Sequence, residues 1–402
     1  TMKVLIVSQY FTPEIAHIPS QLARGLAARG HSVRVLTGFP NYPEGRIYPG
    51  YRQRWRQRER IGGVDVLRVP LFMDHSNSAL RRMLSYTSFA ASSATAGGFA
   101  RGADVVYVYA TQMTPALGPW LRRLVGGAPY VLHVQDLWPD SITGSSLVGS
   151  RLGEVVINRL LNPWLTSVYR HSSAVIAIAP TMIETLKARG VEPDRAHLVY
   201  NWSPVESEPP GDSDTPSVTD RSATTVLYAG NIGDMQDLET AVRAAHASRD
   251  AGVRLLLVGD GTAGPHLRGL VQSLNATNVE VKDWVPPSEV LQLYRQSDYA
   301  LVSLKDMPAF RGTIPSKFQM ALSAGVPVVT TVQGDVRDIV EQNRVGFTAD
   351  AESVESLTAA FHQAAGEKEL DALRRNAASL YADHFSTEAG VASVEAILSA
   401  CV

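Results

Sequence analysis

The sequence predicts an α/β protein built as two doubly wound, Rossmann-like domains facing each other across a cleft. Three observations lead there. Short β-branched apolar runs alternate with amphipathic stretches along almost the whole chain, and runs that are apolar throughout belong to parallel sheets covered by helices on both faces. The runs fall into two sets, separated by a stretch (202–222, WSPVESEPPGDSDTPSVTDRS) with four prolines and no apolar periodicity. The chain has 402 residues, enough for two or three domains with cores of their own.

In the first half the predicted strands are KVLIV (3–7), SVRVL (32–36), VDVLRV (64–69), DVVYVY (104–109), YVLHV (130–134), AVIAI (174–178) and HLVY (197–200). In the second they are TTVLYAG (224–230), VRLLLVG (253–259), NVEVK (278–282), YALVSL (299–304) and PVVTT (327–331). Helical patterns lie between them: Pro19–Arg29 carries Leu22, Ala23 and Leu26 on one face, and Leu238–Ala247 is another. The domain division is therefore 1–201, a linker 202–222, and 223–385, with 386–402 a last helix returning to the N-terminal domain. Ligands of such folds bind outside the carboxyl ends of the strands, so a cleft between two of them is the expected site.

Composition narrows the function. Apolar residues make up 45% and charged residues 19%, ordinary for a globular protein, and a net charge of −2 gives no general pull towards nucleic acid. The one cysteine, Cys401, excludes an intramolecular disulfide and a cysteine metal cluster. No Asp-x-Asp pair stands beside a strand end and no histidines share ligand spacing, so no metal is expected. The N-terminal apolar run ends at Ser8, short for a signal peptide. Eight of the 18 residues from Met83 to Ala100 are Ser, Thr or Gly, too polar for a membrane span. A cytoplasmic protein, with possible peripheral attachment to the inner membrane face, is the expectation.

Two glycine-bearing motifs compete for attention. GDGTAG (Gly259–Gly264) matches the dinucleotide pattern GxGxxG, with Glu280 at about the spacing of a ribose-binding acid. It follows the second strand of its domain, however, whereas the fingerprint belongs to the first βα turn, and Asp260 would set a negative charge against a pyrophosphate. A tight turn facing the cleft is the better reading. The second motif is FRGTIPSKFQMALSAGVPVV (Phe310–Val329). Pro315 suits a first helical turn, Gly325 and Pro327 end the helix, and Ser316, Lys317 and Arg311 cluster at its start. A cation there opposes the helix dipole and is favoured only with an anion nearby, so a phosphate or pyrophosphate site stands against an ordinary surface lysine.

With SQYFTPE (8–14), GHSVRVLTGFPNYPEG (30–45), HVQDLWPDS (133–141), YAGNIGDMQDL (228–238), LLVGDGTAG (256–264) and IPSKF…SAGVPVV, in this order and spacing, the chain resembles the GT-B fold glycosyltransferases of family 4, especially the bacterial branch that makes O-antigen and colanic-acid-type polysaccharides. The resemblance spans nearly the whole chain. It implies retaining, metal-independent transfer of a sugar from a nucleoside diphosphate donor, most readily a UDP-sugar, with no other cofactor. The acceptor would be a lipid-linked glycan or another glycan, or a small molecule such as a secondary metabolite. The nucleotide would sit on the C-terminal domain and the acceptor on the N-terminal one.

Carried over by position, the resemblance makes His133, Arg311 and Lys317 the catalytic set. Arg311 and Lys317 would neutralise the leaving diphosphate, where charge builds in the transition state. His133 would lie near the donor sugar; a satisfied histidine at a strand end is the other reading. Gly230, Asn231 and Gly233 would bring backbone amides to the donor phosphates, with Asp260 in the neighbouring turn. Gly312 and Thr313 would offer N–H groups to the sugar, Ser316 would sit at the phosphate-binding helix start, and Trp284 and Val285 would flank the base. The loop Thr12–Pro19 would face the donor from the other domain, through Ala16 and His17. Glu14, Asn41, Tyr42 and Asp136 are the acceptor-side candidates, with Asp136 equally readable as a turn former. Trp138 and Trp164 read as core.

The chain departs from the family pattern at three places. The usual Glu-x7-Glu pair, whose second member holds the ribose hydroxyls, reads Gly312 and Met320, and a thioether is a poor acceptor for a hydroxyl. Met235 and Gln236 stand where a basic residue is usual. The glycine pair of the first loop is Ala16-His17. These losses keep two other readings open: a non-catalytic nucleotide-sugar-binding protein, and a sugar-nucleotide 2-epimerase of the same fold. The arginine-rich stretch Arg52–Arg60 (RQRWRQRER) reads as a solvated face or an acceptor or membrane contact, not a nucleic-acid site. Helix Ala79–Ala91, with Leu80, Met83, Leu84 and Phe89 beside Arg81 and Arg82, fits either an anionic bilayer or packing on the sheet.

Overall fold

The computed structural model describes residues 1–74, 76, 78–143, 151–203 and 223–402; most of the proposed linker therefore lies outside the described residues. The chain divides into two compact units, Thr1–Pro204 with Thr387–Val402, and Val205–Ser386.

The first unit holds an eight-stranded sheet. Its strands are β1 (Lys3–Val7), β2 (Ser32–Gly38), β3 (Gln57–Ile61), β4 (Val64–Val69), β5 (Val105–Ala110), β6 (Tyr130–Val134), β7 (Ala174–Ala177) and β8 (Ala196–Leu198). They lie in the order β3-β4-β2-β1-β5-β6-β7-β8. All neighbours are parallel except β3, which runs antiparallel to β4. The winding reverses between β1 and β5, where Val4 pairs with Val105. The sheet is buried on both faces, as continuous apolar strands require. On one face Leu5, Leu36, Val106 and Leu132 join a cluster with Phe89 and Trp138. On the other, Val4, Ile6, Val35, Val105 and Tyr107 meet Leu22 and Leu26 of helix His17–Ala28.

Strand β3 lies within the arginine-rich stretch and was not foreseen. Gln57, Glu59 and Ile61 are half-buried while Arg58 and Arg60 are exposed. Period-two alternation of charge is hard to see where both faces are polar, and charged side chains suit an edge strand because they discourage pairing with another chain. The hairpin turns through Gly62 and Gly63, both at positive φ (56° and 83°), which only glycine adopts without strain.

The second unit carries β9 (Thr224–Ala229), β10 (Val253–Val258), β11 (Val279–Lys282), β12 (Tyr299–Val302), β13 (Val328–Thr330) and β14 (Gly346–Thr348). The order is β11-β10-β9-β12-β13-β14, all parallel. Here the winding reverses between β9 and β12. β14, three residues long, was missed because GFT carries no apolar run. The loops after β9 and β12 flank this unit's switch point, the place where such sheets bind ligands.

The C-terminal helix, Thr387–Ala400, belongs to the first unit. Val391, Val394 and Leu398 enter the same cluster as Leu22 and Leu26. Gly390 lies under the buried Trp202 ring, so close that a Cβ would come within 2.0 Å of it. Arg29 and His31 both reach Glu395, at 2.9 and 2.6 Å.

Candidate functional site

In the second unit, Gly230 ends β9 at φ 147°, and the next residues form the loop Asn231–Gly233. The Gln236 side chain fastens that loop, accepting from the Gly233 N–H at 3.1 Å, and the Gly230 N–H donates to Val258 O at 2.9 Å, which corrects the expectation that these two amides are on offer to the donor phosphates. The helix Ser316–Ser323 begins after Pro315 with no side-chain cap and no acidic residue in its first turn. Lys317 runs from that turn back to Gly230: a Cβ on Gly230 would stand 2.3 Å from Lys317 Cε and 2.9 Å from Nζ. Nζ also lies 5.4 Å from the Tyr228 ring centroid. Burial lowers the Lys317 pKa from its usual 10.5. A half-buried cation at a helix start, against a glycine-bearing loop, is a place that a bound anion would relieve electrostatically.

The GDGTAG turn has a structural explanation. A Cβ on Gly259 would fall 1.8 Å from the Gly230 carbonyl oxygen, and one on Gly261 2.1 Å from that of Ile232. The two loops are laced by Gly230 N–H to Val258, Ile232 N–H to Asp260 and Ala263 N–H to Ile232. These glycines let the second βα loop press against the first. Asp260 is exposed beside it.

Arg311 stands further out, its guanidinium on Asp306 at 3.0–3.1 Å, which raises its pKa. Its backbone is pinned: the Arg311 carbonyl accepts from Asp335 N–H at 2.8 Å, and Gly334 (φ 83°) could carry no Cβ there, since Arg311 O would be 2.2 Å away. Thr313 corrects an expectation. Its N–H donates to Phe310 O at 3.1 Å and its hydroxyl to Ala309 O at 3.0 Å, so that N–H closes a turn and is not on offer to a sugar. Gly312 is exposed beside it. Met320 is half-buried, with its sulfur 3.9 Å from the Ser323 hydroxyl. Trp284, just after β11, is 61% exposed, with Val285 half-buried next to it.

One basic group was missed. Lys305 follows β12, far in sequence from Met235 and Gln236, yet its Nζ reaches Asp234 at 3.0 Å and its N–H donates to Met235 O. The cation absent from the loop in sequence is supplied across the switch point.

In the first unit, Glu14 is buried, and its carboxylate accepts from the N–H groups of Phe11, Asn41 and Tyr42 at 3.3, 3.0 and 2.9 Å. It ties the loop after β1 to the Asn41–Pro43 turn, and burial still raises its pKa despite those bonds. Glu14 is thus a residue that holds the turn, with its oxygens already occupied. Asn41 is also turned inward, donating to Phe39 O, whereas Tyr42 is 46% exposed and packs at a tilt on Tyr10, ring centroids 5.2 Å apart. His17 opens its helix and its Nε2 meets the Trp202 carbonyl at 3.0 Å; burial lowers its pKa. That nitrogen serves the fold and is not on offer to a donor. Ala16, the residue before the helix, is buried. The buried Arg68 of β4 also escaped the sequence reading: it joins Glu59, Gly38 O and Thr12 O, fixing the same loop.

His133, in β6, is fully buried between Tyr107 and Tyr109. Its Nδ1 meets the Tyr107 hydroxyl at 2.5 Å, and Nε2 has no partner. Burial holds its pKa down to about 3, so the ring is neutral at physiological pH. An unpaired buried nitrogen is rare enough to require an explanation. Asp136 lines a cavity of about 180 Å³ with Arg82, Tyr86, Thr111 and Ser141. Burial raises its pKa. Trp138 is core, at 3% exposure, while Trp164 is half-buried on the wall of a second, apolar hollow. Among the described residues no group of three or more His, Cys, Asp or Glu side chains could hold a metal ion. None of their helices is long and apolar enough to cross a membrane.

Two reversing parallel sheets, each with its loops gathered at a switch point, define a GT-B architecture, and the comparisons agree. The chain belongs to the glycosyltransferases: residues 15–202 match the Glycosyl transferase 4-like domain and residues 223–366 the Glycosyl transferases group 1 model. It is 28% identical over 377 residues to WcaI of Escherichia coli (strain K12), named as a colanic acid biosynthesis glycosyl transferase, covering 90% of this chain and 92% of that one. Among solved structures, sucrose-phosphate synthase from Thermosynechococcus elongatus aligns at TM-score 0.62 and 15% identity, over 100% of this chain and 99% of the other. HepE of Anabaena, solved with UDP and glucose, aligns at TM-score 0.60 and 15% identity over the whole of both chains.

Proposed function

We propose that the protein transfers a glycosyl group from a nucleoside diphosphate sugar, a UDP-sugar first, to a lipid-linked glycan, with retention of anomeric configuration and without a metal. The observation that carries this is Lys317, half-buried at an uncapped helix start and lying along Gly230. Departure of the diphosphate places negative charge where that cation and the helix N–H groups converge, and stabilising charge as it develops is the main demand of the step. Arg311 and Lys305 add positive charge once Asp306 and Asp234 release them. Ser316 and Gly312 flank the phosphates, and the exposed Trp284 offers a face to the base. His133 offers Nε2 to a sugar hydroxyl, and the Asp136 cavity takes the acceptor sugar. Retention follows from the family resemblance, and the acceptor class from the named role of the Escherichia coli relative. The reaction belongs on the cytoplasmic side, where nucleotide sugars are available.

The test is release of UDP from UDP-sugars with and without a lipid-linked glycan, in EDTA, with the product's anomeric configuration read by NMR. Acceptor-dependent release that survives EDTA is expected. Loss on chelation with rescue by magnesium or manganese overturns metal independence. Tight binding without turnover points to a binding protein, and conversion of the donor without acceptor to an epimerase.

A further inference from the structure

The first unit has a cavity of about 300 Å³ that the proposed reaction does not use, walled by Arg101 and Arg122 and by small residues, Gly97, Ala100, Gly126 and Ala128 among them. It lies at the amino ends of β5 and β6, the opposite end of the sheet from His133 and Asp136. Among the described residues no acidic side chain lines it, and Asp104, just before β5, is turned to the Lys3 N–H at 2.7 Å. Arg101 is exposed. Arg122 is half-buried in the last turn of helix Leu117–Leu124, and both of its terminal nitrogens, Nη1 and Nη2, are shut off from water with no hydrogen-bond partner. Gly118 leaves the room for them: a Cβ there would stand 3.3 Å from Nη1 and 3.2 Å from Nη2. A cation suits a helix's last turn. That accounts for Arg123, whose Nη1 donates to Gly127 O at 3.1 Å, but not for Arg122, whose guanidinium meets no acceptor. A dehydrated, unpaired guanidinium is destabilising and calls for a partner.

We infer that this cavity binds a small phosphate monoester, its phosphate between Arg101 and Arg122 and its organic part against the glycine and alanine wall. Two guanidiniums without a carboxylate match a dianion, and arginine is the residue that grips phosphate oxygens in pairs. The volume is at the lower bound of small-ligand sites and more than a bare phosphate fills. Binding turns the Arg122 guanidinium from Gly118 into the cavity, where it exchanges an unpaired state for charge-assisted bonds. Until then the cation destabilises the free protein, so the site trades stability for binding. The inference is independent of the donor reading, whose anion site lies in the second unit.

The experiment is calorimetry on the whole protein, with saturating UDP to occupy the proposed donor site, titrating glucose 6-phosphate, glycerol 3-phosphate, inorganic phosphate and glucose. The two esters should bind more tightly than inorganic phosphate, and glucose should not bind. Arg101→Gln and Arg122→Met should each weaken ester binding at least tenfold while UDP affinity stays unchanged, and Lys317→Ala should leave ester binding as it is. Arg122→Met should also raise the melting temperature of the unliganded protein, where loss of a merely structural arginine would lower it. No ester binding, ester binding undiminished in either arginine variant, or inorganic phosphate bound as tightly as the esters overturns the inference. A lower melting temperature in Arg122→Met with undiminished ester binding assigns that arginine to the fold instead. Loss of ester binding in Lys317→Ala places the phosphate at the donor site and overturns the inference as well.

Discussion

At the residue scale, the proposed donor chemistry rests on Lys317. Removing its charge in Lys317→Ala should cost about 1.5–3 kcal/mol of UDP binding, roughly ten- to a hundredfold, by calorimetry. Arg311→Ala should cost less, because binding must first free its guanidinium from Asp306. The pH dependence has a definite sign. Burial favours neutral Lys317, while a bound diphosphate favours the cation, so affinity should fall as pH rises through a pKa lying below 10.5. The diphosphate is fully ionised there, so a decline that disappears in Lys317→Ala belongs to this residue. His133 titrates on the other side. The folded ring stays neutral down to about pH 3, whereas the unfolded one takes up a proton near 6.5. Its contribution is therefore present above 6.5 and is lost as pH falls towards 3, at roughly 1.4 kcal/mol per pH unit. Urea unfolding of His133→Phe should show an acid-side slope shallower by about one proton; an unchanged slope would mean the ring is already charged in the fold.

At the scale of elements, the two βα loops of the second unit are one object. Gly261→Ala forces a Cβ onto the Ile232 carbonyl, and backbone cannot yield cheaply. We expect a loss of about 1–3 kcal/mol in stability and weaker UDP binding, because the Asn231–Gly233 loop must move. A thermal-shift series with UDP checks both. The GxGxxG string was legible as a tight turn from its place after the second strand. The reason for its glycines was not, because it lies in a loop 29 residues earlier in the chain. Likewise, the pairing of Lys305 with Asp234 was invisible in sequence, since parallel strand order, not sequence distance, makes them neighbours.

At the scale of the molecule, the C-terminal helix completes the core of a unit that begins almost 400 residues earlier. Val391, Val394 and Leu398 are nearly or fully buried, each worth about 1.5–3 kcal/mol, together comparable to a domain's whole stability. A chain ending at Phe385 should lose cooperative unfolding of the first unit while the second still melts normally, readable by calorimetry. Normal melting of both would show that the helix is dispensable.

The sequence by itself determined the alternation of strand and helix, the division of the chain near the proline-rich stretch, and the placing of a cation at the start of the helix at Ser316. These are local properties: period, punctuation and charge at a helix end. Tertiary structure alone decided which candidates have free groups. Glu14 and Thr313 look available in sequence, but their polar atoms are spent on neighbouring backbone. His133 looks like one histidine among ten, but burial leaves its Nε2 unpaired. A polar atom's availability depends on everything packed around it, and that is set by contacts far apart along the chain.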